Sequence, residues 1–220
     1  MSQQNDTGAT GGIEIPLKRV QILCDVIFAS SMTIMVFSFD QPDIDGITTK
    51  EQITEFVLKQ VPSLAIYAIS FVLIGIYWLK HLEHFSYIRE TNATHLWLQL
   101  GFLAAIAVIP FSNSFMNAYP NVYAVQVFYG LNLVLVGLFS FLSWKYATRN
   151  HRLVDDDLDE ATIRRISHGS LTEPIVALIA LAVAFFEPRL WEVMFTLAPM
   201  LYVAQKHWRS RRKRGRQAAA

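Results

Sequence analysis

The chain has 220 residues, of which 53% are hydrophobic and 13% aromatic, while Asp, Glu, Lys and Arg together make up 17%. A soluble domain carries about a quarter charged residues, so this deficit, with a mean hydropathy of +0.31, excludes an ordinary soluble domain and points to lipid. The net charge of +1 averages over strongly segregated charges, and a single cysteine, Cys24, excludes an intrachain disulfide and any thiol-based zinc or redox motif.

Residues 1–17 are polar and glycine-containing, with no apolar core, and are expected to be a disordered N-terminal segment rather than a signal or transit peptide. The first apolar segment, 20–39, is long enough to cross a bilayer, since about 20 helical residues span roughly 30 Å. It carries Asp25 and the hydroxyls of Ser30, Ser31 and Thr33. An acidic side chain within a span costs roughly 2.5–3.5 kcal/mol on insertion scales, so Asp25 should face other helices or water. Asp40, Pro42, Asp43, Asp45 and Gly46 end this segment in a polar loop. Asp40, Asp43 and Asp45 would gather cations at an outer mouth as a field effect, although loop carboxylates are more often merely solvated. Thr48 to Glu51 then opens a short amphipathic stretch, with Ile53, Phe56, Val57 and Leu58 on one side, suited to the membrane interface.

Pro62, a good first-turn residue, starts a second span ending near His81. The third runs over 96–115, with Pro110 near its far end to kink or stop it. The fourth covers 122–144. The acidic run Asp155 to Glu160 lacks the glycine and terminal glutamate of a calcium loop and reads as a helix N-terminus, with Glu160 and Arg164 as an i,i+4 pair. The fifth span, 171–186, has Pro174 in its first turn, and Pro188 separates it from a sixth, 190–205. Each span is apolar all round rather than on one stripe.

Of the 19 Lys and Arg residues, only Lys50, Lys59 and Arg189 fall on one side of such a six-span topology, and the rule that positive loops stay inside makes both termini cytoplasmic. Three regions follow: the N-terminal segment 1–17, a six-helix membrane domain over 18–207, and a basic tail over 208–220. The tail, Arg209 to Arg216, follows a span directly and suits anionic lipid headgroups better than nucleic acid, at roughly 1 kcal/mol per basic residue. Tyr77, Trp78, Trp97, Trp144, Tyr146, Trp191 and Trp208 sit near segment ends, where an aromatic belt belongs.

No Gly-x-Ser-x-Gly, His-Glu-x-x-His or phosphate-binding glycine loop is present, so neither an enzyme nor a bound cofactor or metal is expected. One polar constellation stands out. Asp25 lies about 9 Å along the helix from Arg19, level with the inner ends of the neighbouring spans. There Asp25, Trp78 and His81 can share a buried polar cluster that satisfies the carboxylate. A histidine at a membrane edge is more often interfacial than catalytic, but it is also the natural proton sensor.

Arg19-Val-Gln-Ile-Leu23-Cys24-Asp25 is similar to the Arg-x-x-x-Phe-Ser-Asp mark that opens the first span of the lysosomal and endosomal transmembrane potassium channel family. Ser70 to His81, with Leu96-Trp97-Leu98-Gln-Leu-Gly-Phe102 and Ile109-Pro110-Phe111, resembles the second and third spans of its six-helix prokaryotic form. The resemblance covers Arg19 to about Tyr119, and the remainder by topology alone. It implies an all-α membrane protein assembled as a homotetramer around one pore lined by the first helices. The gate would be rings of aliphatic side chains that exclude ions by dewetting, without a filter of looped carbonyls. The family's constriction layers fall on Ser30, Thr33, Ile34 and Phe37, which also share a helical face by the i, i+3/i+4, i+7 rule. Arg19, Cys24, Asp25, Trp78 and His81 would hold the inner helix ends in register.

Two departures matter. Leu23 and Cys24 replace the motif's Phe and Ser, and small, polar Ser30 occupies the constriction position, which moves the tightest point outward to Ile34 or Phe37. The expected function is therefore a potassium-permeable cation channel of the cell membrane, with K+ the permeant ion. The rivals are a secondary transporter, proton-coupled through Asp25 and His81 but lacking an internal repeat of broken helices, and an intramembrane enzyme with only that pair to use.

Overall fold

The computed structural model describes residues 16–39, 46 and 49–186. Helix α1 runs Leu17–Ile34 and continues into a 3-10 turn, Met35–Ser38; α2 is Lys50–Lys59, α3 Val61–Phe85, α4 Ala93–Ala118, α5 Tyr123–Thr148 and α6 Glu160–Phe186. Among the described residues, five stretches are long and apolar enough to cross a membrane, beginning in α1, α2–α3, α4, α5 and α6. The basic tail, the sixth apolar segment and Asp40, Asp43 and Asp45 lie outside the described residues.

Local chemistry sets the ends. Thr49 caps α2 through a reciprocal pair, in which Gln52 N donates to Thr49 Oγ1 at 3.3 Å and Thr49 N to Gln52 Oε1 at 3.0 Å. Pro62 sits in the first turn of α3. The Asn92 side chain caps α4, accepting from His95 N at 3.0 Å. Asp159 caps α6 and accepts from the Thr162 hydroxyl and backbone N–H, which hold its carboxyl below the usual carboxylate range. The α5–α6 connection turns through two left-handed residues, Asn150 and His151. It is pinned to the α3–α4 loop by an antiparallel bridge between Ile88 and Val154 and by the Arg89–Asp155 ion pair.

In the bundle α5 packs between α4 and α6, while α1 lies against α4 and α3. Both internal prolines are accommodated where a break would otherwise expose backbone. Pro110 lies inside α4 and does not end it. The opened turn is served by side chains: Ser112 Oγ donates to Ile109 O at 3.0 Å, Ser114 Oγ to Pro110 O at 3.1 Å, and the Asn132 amide of α5 meets Ala105 O at 3.1 Å and Ile109 N at 3.3 Å. Pro174 is not in a first turn: α6 begins at Glu160, eleven residues before the expected Leu171, and the proline lies in its interior. Its ring fits the notch left by Gly137 of α5.

Trp144 does not join an aromatic belt. It is fully buried and stacks on His84 at 5.0 Å between ring centroids. The acidic run contributes Asp155 to the pair with Arg89 rather than Glu160 to a pair with Arg164.

Candidate functional site

Along α1 the two faces part cleanly. Val20, Cys24, Phe28, Ser31 and Met35 recur at helical spacing and are buried against α3 and α4. Arg19, Leu23, Val26, Ser30, Thr33, Ile34 and Phe37 occupy the opposite arc and are exposed, Ile34 at 52% and Phe37 at 73%. Ser30, Thr33, Ile34 and Phe37 thus form one continuous stripe that the described residues leave uncovered. Thr33 Oγ1 donates back to Ala29 O at 2.9 Å, which satisfies the hydroxyl and leaves its methyl group and oxygen lone pairs on the surface.

The change of helix type at Met35 alters the stripe. An uninterrupted α-helix sets residues three apart about 60° out of line, whereas in a 3-10 turn they eclipse. Phe37 therefore stands over Ile34, and the two largest apolar side chains of the face form adjacent layers.

At the inner end the Trp78 indole Nε1 donates to Asp25 Oδ1 at 2.9 Å, tying α3 to α1. His81 lies beside this pair without bonding to it. Its ring stacks on Phe102 at 5.4 Å and approaches Phe85 at 4.4 Å and Phe28 at 5.8 Å, and its Nε2 is buried without a hydrogen-bond partner among the described residues. Cys24 is fully buried, Arg19 is exposed, and neither side chain bonds to Asp25, Trp78 or His81. The inner cluster is therefore an Asp25–Trp78 bond beside an aromatic-boxed His81.

Several further buried polar groups lie around this cluster, and their partners were not foreseen from sequence. Lys80 is buried, and its Nζ donates to Gly169 O at 3.0 Å. Pro174 has no N–H for the Ser170 carbonyl four residues earlier, and the Lys80 ammonium bonds the carbonyl one residue before it, close to where the backbone ladder of α6 is interrupted. Ser170 Oγ donates to Ile166 O at 3.0 Å, which makes His84 Nε2 the donor in its 3.1 Å contact with Ser170. Arg165 and Glu83 close the same α3–α6 seam at 2.9 Å. Within α4, Gln99 Nε2 donates to His95 Nε2 at 3.2 Å and to Ser143 at 2.7 Å, so the proton of His95 is on Nδ1, facing Thr91 at 2.9 Å. Nearer the other end of the bundle, Ser70 donates to Asn113 at 2.6 Å. The signal available in sequence was an ionisable Lys80 four residues before His84 inside an apolar run, which in a span asks for a partner.

These features define an all-helical membrane protein whose first helix is gripped on one side and bare on the other. The model of the endosomal/lysosomal potassium channel TMEM175 family matches residues 19–110. A potassium channel of Streptomyces collinus is 28% identical over 170 residues, covering 74% of this chain and 81% of the relative. A potassium channel of Chamaesiphon minutus is 25% identical over 171 residues, covering 76% and 83%. The crystal structure of a lysosomal potassium-selective channel TMEM175 homolog from Chamaesiphon minutus superposes with a TM-score of 0.74 at 19% identity, over 86% of this chain and 97% of that one.

Proposed function

We propose that the protein is a potassium-permeable cation channel of the cell membrane, a homotetramer of six-helix subunits with both termini cytoplasmic, in which four α1 helices line one central path. The observation that carries this reading is the bare face of α1. A helix in lipid has no reason to turn the hydroxyl-bearing Ser30 and Thr33 away from its own bundle unless water or another subunit meets them. The potassium channels among the relatives supply the ion. Ser30 and Thr33 would line the inner part of the path, and Ile34 and Phe37 would form the apolar constriction, displaced outward because Ser30 is too small to close it. Asp40, Asp43 and Asp45 would concentrate cations outside, and the tail from Arg209 would rest on anionic headgroups. No cofactor and no nucleic acid enter this reading.

Purified protein in planar bilayers, under opposed potassium and sodium gradients, tests it. A reversal potential displaced toward the potassium equilibrium value is expected. A saturable flux coupled to a proton gradient, with no unitary currents, would replace the channel with a transporter.

The inner clamp has its own test. Asp25→Ala deprives the Trp78 indole of its acceptor, at about 1 kcal/mol per subunit, and fourfold repetition multiplies that loss. Less tetramer on size exclusion is expected from Asp25→Ala and from Trp78→Phe, with Asp25→Asn intermediate because its amide oxygen still accepts. Normal assembly and conductance in all three would detach the clamp from assembly.

A further inference from the structure

We infer that Arg19 makes conduction through this protein asymmetric: at the cytoplasmic end of the α1 stripe its guanidinium opposes cations approaching from inside, so that inward potassium current exceeds outward current. This rests on the reading of α1 as the lining of the path. Arg19 stands eleven residues before Ser30, which is three helical turns and about 20° of rotation, and about 16 Å along the axis. It is therefore on the same line as the stripe, exposed like Ser30 and turned away from buried Val20 and Cys24.

Its charge is not spent within the described residues. The carboxylate closest to it along α1, Asp25, stands about 120° away round the helix, on the side of Trp78, and makes no ion pair with it. The ion pairs among the described residues join Lys59 to Glu55, Arg89 to Asp155 and Arg165 to Glu83. A guanidinium stays protonated at any physiological pH. Four copies about one axis set four fixed positive charges around a single inner mouth. In open water such charges are screened beyond about 8 Å, but a narrow mouth with low-dielectric walls focuses their field and depletes the local cation. The loop that follows α1 carries Asp40, Asp43 and Asp45, so by sequence the two mouths have opposite signs. Cations are thus gathered on one side and thinned on the other.

Inside-out patches, where the cytoplasmic face is known, test this in symmetrical potassium at low and high ionic strength. The wild-type ratio of inward to outward current should rise severalfold as salt is lowered. Arg19→Gln should straighten the current–voltage relation, mainly by raising outward current, and Arg19→Lys should retain the wild-type shape. A salt-independent wild-type ratio overturns the inference, whether or not Arg19→Gln assembles. So does an assembled Arg19→Gln tetramer that rectifies as before, or an Arg19→Lys that behaves as Arg19→Gln. Ile34→Ala in the same patches separates the two levels: if it changes conductance while Arg19→Gln leaves the ratio alone, only the role of Arg19 falls. If neither variant changes the current, α1 does not line the path.

Discussion

Phe37→Ala and Ile34→Ala are each expected to raise unitary conductance or resting leak severalfold, and Ser30→Ile to lower it. The direction follows from the stripe. Ile34 and Phe37 are large apolar groups on the exposed face, and the 3-10 turn stacks one over the other, so four copies in the proposed tetramer would make two successive dry layers. A hydrophobic constriction excludes ions because a narrow apolar passage does not hold the water that hydrates them. Alanine at either layer widens the passage and lets that water in. At position 30 the change runs the other way, since isoleucine adds a third layer where only a hydroxyl now stands. Single-channel recordings in bilayers check all three, and unaltered currents throughout would take α1 off the conduction path. The side chains concerned are exposed rather than part of the buried core, which limits any loss of fold in the comparison.

Gly137→Ala is expected to give the largest loss of stability from a single methyl group. A Cβ at that position would lie 2.5 Å from Pro174 Cδ, a separation real Cβ atoms essentially never show, and 3.0 Å from its Cγ. The proline ring is rigid, and both atoms sit in the middle of long helices, so one helix must move. Overpacking of this kind costs about 1–3 kcal/mol. Gly169→Ala is the matched control. A Cβ there meets nothing within 4 Å, and removing a glycine from a helix interior should gain about 0.5–1 kcal/mol. Thermal unfolding in detergent, followed by loss of monodisperse protein, should shift down for the first variant and slightly up for the second. Equal shifts for both would deny the Gly137 notch its role.

The sequence made the spans legible because apolar length needs no tertiary information. Four of the described spans begin and end within a few residues of expectation. The amphipathic stretch after the loop carries its own cap signal at Thr49. The first helix was also readable: Asp25 with three hydroxyls on an apolar background singles it out, and helical spacing alone puts Ser30, Thr33, Ile34 and Phe37 on one face. What failed was the treatment of proline. Pro174 looked like a starting residue because a proline inside a span is expensive by itself, yet α6 starts at Glu160. Its ring is accommodated by Gly137 on another helix, and Lys80 on a third bonds the nearby Gly169 carbonyl. No local window contains all three. Lys80 was counted as a topology-setting charge for the same reason, and Trp144 as an interfacial ring, although His84 holds it in the core. Side chains that serve distant backbone leave no periodic trace.

The one-sided grip on α1 limits how the path can change width. Cys24, Phe28 and Met35 are sealed into the neighbouring helices, and Trp78 fastens Asp25 a quarter-turn away. Spinning α1 about its own axis, the smallest movement that would present a different set of groups to the ions, tears all of these seats open at once. Interiors this closely filled are bistable rather than compliant. In the proposed assembly, dilation would carry α1 together with its flanking helices, each subunit tilting as a block in the manner of a camera iris, while the chemistry of the lining stays the same from narrow to wide.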